Sequence, residues 1–136
     1  MISNKIDVVK AFIAAINRRK PSEISALMTE DHTFIDSGGS IQSGRKNVTA
    51  GWEEYFRMFP DYKIQVECIL EDKALVAVLG SASGTYNGKR GLIPENRMET
   101  PAAWKAKVAA GKVQLWQVYA DWTEGNRIIA EDKASR

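Results

Sequence analysis

A chain of 136 residues with 44% hydrophobic and 26% charged content has the size and composition of one soluble globular domain built on a single core. Its 19 basic and 17 acidic residues leave a formal charge of +2, too small and too scattered for the basic stripe that a phosphate backbone demands, so nucleic acid is not an expected partner. No apolar run approaches bilayer-spanning length, and the opening MISNKIDVVK lacks the apolar core of a secretory leader, which predicts a cytoplasmic protein with no membrane partner. The single cysteine, Cys68, excludes an internal disulfide and a CxxC motif, and within KIQVECIL it reads as a buried structural thiol.

Ile6, Val9, Phe12, Ile13 and Ile16 recur at helical spacing behind the potential caps Ser3 and Asn4, which predicts an amphipathic helix over residues 4–18. Pro21 suits the first turn of a short second helix carrying Ile24, Leu27 and Met28. His32, Phe34 and Asp36 then alternate with Thr33 and Ile35 as a short strand that runs into the turn SGGS. From Gly44 the spacing is helical again, with Val48, Trp52, Tyr55, Phe56 and Phe59 on one stripe and Pro60 closing the element. KIQVECIL, ALVAVLGSASGTY, AAWKAKVAA and KVQLWQVYADW follow as four strands of an antiparallel meander. Three N-terminal helices followed by a mainly antiparallel sheet make an α+β domain over residues 1–123, with the helices laid across one sheet face. Residues 124–136, EGNRIIAEDKASR, read as a polar C-terminal tail, mobile or weakly docked through Ile128 and Ile129.

Four groups of residues carry possible chemistry. Asp36 is a carboxylate between an apolar strand and a Ser-Gly-Gly turn, placed equally for an Asx-type turn and for a base at a pocket mouth. His32 shares its strand face but lies about 13 Å away along the chain, beyond hydrogen-bond reach, and as the only histidine it supports neither a dyad nor a metal site. Trp52, Tyr55, Phe56, Trp104 and Trp116 form a candidate aromatic cup for a small apolar ligand, with Tyr86 and Met98 near its rim and Phe12, Phe34 and Val118 as further candidate ligand contacts. The irregular segment SGTYNGKRGLIPENRMET is expected beside the pocket mouth, where Arg90 and Arg97 could meet an anionic group.

VVKAFIAAIN, ALMTEDHTFIDSGGSIQSG, FPDYKIQVE, GTYNG and GKVQLWQVYAD, in this order over residues 5–123, resemble the nuclear transport factor 2-like superfamily, which includes ketosteroid isomerases, SnoaL-like cyclases and limonene epoxide hydrolases. The resemblance implies a cone-shaped fold, a strongly bent sheet wrapped around the helices with a pocket at the wide end, and a homodimer joined through the outer sheet face. It puts Asp36 where the isomerases keep their general base. The isomerase oxyanion donors are missing, however: Phe12 stands for the helical tyrosine, and Ala103 or Trp104 for the strand aspartate. The epoxide hydrolase pattern is also lost, with Phe34 and Asp36 in place of its tyrosine and asparagine and Val118 in place of its catalytic aspartate. The cyclase acid–base aspartate corresponds by count to Asp121, ten residues after Gly111, although alternation puts Trp116, Val118 and Ala120 toward the pocket and Asp121 outside unless a bulge intervenes. The sequence therefore predicts a pocket protein for a small apolar ligand, working without cofactor or metal. It is either an isomerase or cyclase with Asp36 as base, or a non-catalytic binding or assembly module.

Overall fold

The computed structural model describes residues 4–136, so Ser3, one of the two expected caps, lies outside the described residues. Asn4 caps the first helix, α1 (Lys5–Asn17), its side-chain oxygen accepting from the amide of Asp7 at 2.8 Å. Pro21 opens α2 (Pro21–Ala26), and the third helix, α3 (Arg45–Met58), carries Val48 and Trp52 into the core. Six strands form one sheet in the order β2-β1-β6-β5-β4-β3: β1 (Met28–Ile35), β2 (Ile41–Ser43), β3 (Lys63–Glu71), β4 (Val76–Thr85), β5 (Arg97–Ala109) and β6 (Lys112–Ala120). The pairing is antiparallel except between β1 and β6, which run parallel. This is the expected α+β architecture, a bent open sheet with helices against its concave side. β1 begins at Met28, where helical spacing had placed the last contact of α2, because the Val113 amide of the neighbouring strand binds the Leu27 carbonyl and draws the chain into the sheet.

The bend has identifiable causes. A bulge between Val66 and Cys68 lets β3 turn against β4, and Gly80 sits opposite, where a Cβ would overlap the carbonyl oxygen of Gln65. At the β5–β6 hairpin, Ala110 and Gly111 both adopt positive φ (52° and 76°), the two-residue turn whose twist matches that of the strands.

The same bulge corrects the reading of Cys68. Strict alternation places Ile64, Val66 and Cys68 on one face, but the extra residue sets Cys68 beside Leu79 and turns it outward, so the thiol is exposed. Ile69 then pairs with Val78 on the inner face.

The second correction concerns residues 124–136. Thr123–Ala134 form a helix, α4, with Ile128 1% exposed and Ile129 packed against the core. What fixes it is a buried polar clasp that hydrophobic patterning cannot show. Asp132, 1% exposed, accepts from the amides of Lys89 (2.7 Å) and Arg90 (2.8 Å) and from the side chain of Asn96 (3.1 Å). Arg90 in turn donates to Asn96 at 2.5 Å. Burial alone pushes the Asp132 carboxyl up, but these hydrogen bonds and the adjacent Arg90 charge outweigh it and hold the group below the usual aspartate value. The segment expected beside a pocket mouth is thus the socket of α4. Arg90 is spent on Asp132 and Asn96, and Arg97 pairs with Glu99 across 3.7 Å.

Gly80 offers a direct test of the bend. Gly80→Ala is expected to destabilise the protein by about 3 kcal/mol, through overlap with the β3 backbone, as read from urea unfolding.

Candidate functional site

Side-chain volume is graded along the concave face of the sheet. Toward one end β4, β5 and β6 present Val78, Trp104 and Trp116; toward the other they present Ala82, Thr100, Ala102 and Ala120. The large end is filled. Trp104 and Trp116 stack with ring centroids 6.2 Å apart and planes 19° from parallel, and Phe12 of α1 packs on Trp116 at 5.1 Å. The small end leaves a cavity of about 500 Å³.

Five parts of the chain wall this cavity. The helix α3 contributes Val48, Gly51, Trp52, Tyr55 and Met58, and the turn after it adds Phe59 and Tyr62. The sheet contributes Ala82, Thr100, Val118 and Ala120, and the β1–β2 hairpin adds Phe34, Asp36, Ser37, Gly38, Ser40 and Gln42. Trp122, Asn126 and Ile129 come from α4 and its entry.

Asp36 makes the Asx-type turn and also stands on the cavity wall. Its Oδ1 accepts from the amides of Gly38 (2.9 Å) and Ser40 (3.0 Å), an Asx-type turn that is closed by the bond from the Asp36 amide to the Ser40 carbonyl (3.0 Å). The residue is half-buried and lines the cavity, with Oδ2 left to accept from a guest. Phe34, Trp52, Tyr55 and Val118 share that cavity with it.

The other sequence candidates lie elsewhere. Phe12, Trp104 and Trp116 belong to the filled end and none of them lines the cavity; both indole N–H groups are buried there without a hydrogen-bond partner. Phe56 stacks on Trp52 at 5.4 Å from outside the wall. Tyr86 packs beneath the Asp132 clasp against Phe59, and Met98 touches a small void behind Phe59 and Trp122. Asp121 follows the end of β6 with no bulge near it, so it stays exposed and accepts from the Thr123 amide at 2.9 Å; hydrogen bonding from the Thr123 side chain first, and from this amide second, lowers its pKa.

His32 is fully buried, 5.9 Å from the Phe12 ring. Its Nδ1 lies 2.7 Å from the Val113 carbonyl; a carbonyl only accepts, so Nδ1 carries the proton. Nε2 is left buried without a partner. Burial lowers the His32 pKa, the Val113 bond opposing it, because a second proton on Nε2 would sit unsolvated in the core.

Sequence reasoning missed Tyr62, Phe59, Thr100, Trp122, Asn126 and Ile129. Burial raises the pKa of both Tyr55 and Tyr62, and the two rings meet edge to face at 5.1 Å. Both phenols therefore remain neutral hydrogen-bond donors on the wall shared with Asp36. Among the described residues no group of three His, Cys, Asp or Glu side chains is placed to hold a metal ion, and no helix is long and apolar enough to cross a membrane.

The lowered His32 pKa has a definite sign in solution. The unfolded chain takes up a proton near pH 6.5 while the native state resists it. Stability is thus fully present above about pH 6.5 and declines as the pH falls toward the native value. His32→Asn keeps a donor for Val113 without titrating. It is expected to abolish that slope between pH 7 and 5 in chemical denaturation, whatever it costs overall.

The architecture has many solved relatives. A ketosteroid isomerase-like protein from Catenulispora acidiphila, solved in complex with trimethylamine, superposes with a TM-score of 0.79 at 16% identity, covering 97% of this chain and 96% of that one. A candidate polyketide cyclase from Xanthomonas campestris gives 0.77 at 16% identity, over 88% and 91%. An epoxide hydrolase of the limonene type from M. tuberculosis gives 0.74 at 16%, over 94% and 90%. No curated protein matches the chain. At such identities the solved structures establish the fold alone, and the family model of the SnoaL-like domain aligns with residues 9–127. The chain belongs to the SnoaL-like domain family of the nuclear transport factor 2-like superfamily.

Proposed function

We propose that this chain binds a small, largely apolar carbonyl compound in the cavity and that Asp36 takes a proton from it, as the base of a cofactor-independent isomerase or cyclase. The observation that carries this reading is a half-buried carboxylate on the wall of an otherwise uncharged, aromatic-lined cavity of about 500 Å³. Two amides fix Oδ1, which leaves Oδ2 to receive the proton. Loss of that proton leaves an enolate, whose oxygen needs a donor, and Tyr55 and Tyr62 supply neutral phenols on the same wall. The proton then returns from Asp36 to a second carbon of the product.

A second reading, binding without turnover, is favoured by the same turn: with Oδ1 satisfied by Gly38 and Ser40, Asp36 already has a complete structural role. Two variants separate the readings. Asp36→Asn preserves the turn, because an amide oxygen still accepts both bonds, while Val118→Trp fills the cavity. If Asp36 is the base, deuterium exchange at the α-carbon of a cyclic ketone falls about 10²-fold or more in Asp36→Asn with the unfolding midpoint unchanged. If the protein only binds, the wild type exchanges nothing, and 2-naphthol binding survives Asp36→Asn but not Val118→Trp.

We further propose a homodimer formed through the outer sheet face. Register aligns Tyr119, Ala103, Leu79 and Cys68 in one row across four strands. Tyr119 is 47% exposed, with Lys105 Nζ 5.8 Å from its ring centroid, and Leu79 is 41% exposed. Sedimentation equilibrium is expected to give twice the 15.1 kDa chain mass for the wild type and the single mass for Leu79→Glu; a wild-type monomer at micromolar concentration would remove the proposal.

A further inference from the structure

The electrostatic character of the cavity wall is one-sided. Asp36 supplies the one carboxyl group on it, and among the described residues no lysine, arginine or histidine reaches the cavity, although the chain carries 19 lysines and arginines. Six rings make up much of the remaining wall: Phe34, Trp52, Tyr55, Phe59, Tyr62 and Trp122. Four neighbouring pairs cross steeply, Phe34 with Trp52 at 66°, Trp52 with Tyr55 at 88°, Tyr55 with Tyr62 at 82° and Phe59 with Trp122 at 67°, while Tyr55 with Phe59 and Trp52 with Tyr62 are tilted by 35° and 46°. Rings set at such angles bound a space from several directions instead of stacking into a slab.

An aromatic face carries negative potential, and the Asp36 carboxylate adds a field of the same sign. Both act in a hollow walled by apolar groups, where electrostatic interactions are screened less than in water. An anion entering this space loses hydration and meets the repulsion of the carboxylate and the ring faces, with only hydrogen bonds such as those of the Tyr55 and Tyr62 phenols to offset it. A neutral guest gains apolar burial and such hydrogen bonds, without attraction to the field. A bulky organic cation, its charge spread over alkyl groups, gains the same burial plus the attraction of rings and carboxylate.

We propose that the cavity selects organic cations, compounds with a substituted ammonium group on an apolar body, the charge lying among the crossed rings on the side that Asp36 faces. This names the class of guest for the small-molecule reading given above and rests on that reading. With the charge held by the rings, Asp36 Oδ2 is still available to a neighbouring carbon of the same guest.

Three probes of nearly equal shape test the inference on the full chain: choline, its neutral isostere 3,3-dimethyl-1-butanol, and the anion 3,3-dimethylbutanoate. Binding is followed by calorimetry and by tryptophan fluorescence, since Trp52 and Trp122 stand in the wall. Choline is expected to bind roughly tenfold more tightly than the alcohol, with the anion weakest. Asp36→Asn should narrow the choline-to-alcohol ratio while leaving the affinity for the alcohol unchanged, and Trp122→Leu should weaken choline more than the alcohol. If the alcohol binds as tightly as choline or more tightly, selection of cations is overturned and the small-molecule pocket stands. If none of the three probes binds and 2-naphthol fails as well, the small-molecule reading falls and this inference falls with it.

Discussion

Trp104 and Trp116, stacked between adjacent strands, are the contact on which the interior of this fold depends. Two indoles side by side fill the concave face at one end and give α1 a surface on which Phe12 can close. Nothing of that size stands on the same strands nearer the other end, where alanine and threonine take the inward positions. A bent sheet covered by helices closes over such small residues only if the helices come closer, and the stacked pair prevents that by holding α1 and the sheet apart. The hollow therefore follows from where bulk ends on β4, β5 and β6. Its lining from α3, the β1–β2 hairpin and α4 follows from which elements are left to surround it.

The parts of this arrangement that were legible in the sequence are those written as periodicity. Helical spacing located α1 and α3, alternation located β1 and the four-strand meander, and the order of the elements gave the α+β class. What alternation could not show was interruption. One extra residue near Cys68 reversed the face of everything beyond it, because a strand has a period of two and no way to absorb a single insertion. The last helix was illegible for a different reason: its anchor is Asp132, a charged residue that patterning assigns to solvent, and its partners lie on an irregular segment more than thirty residues earlier. Aromatic residues were found as a class but not sorted. Phe12, Trp104 and Trp116 share the inward direction of Trp52 and Val118, and only depth along the sheet separates core from cavity wall. Tyr62 and Trp122 sit at element ends, where no period marks them.

Asp36 shows how a turn and a cavity wall coincide. An Asx-type turn fixes the carboxylate by binding one oxygen to the backbone, and a fixed carboxylate loses little freedom when a guest meets the other oxygen. The hairpin that carries it is pinned again where the Gly44 amide binds the His32 carbonyl at 2.8 Å, at the start of α3. Its position is set by backbone bonds on both sides, independently of what occupies the cavity.

The wall made by Trp122, Asn126 and Ile129 exists only while α4 keeps its seat. With this helix lifted from its socket, the sheet and the other three helices would leave the hollow open to water on one side, its tyrosines and Trp52 wetted. The enclosure of the interior thus hangs on one buried aspartate and its partners, at a distance from the hollow itself.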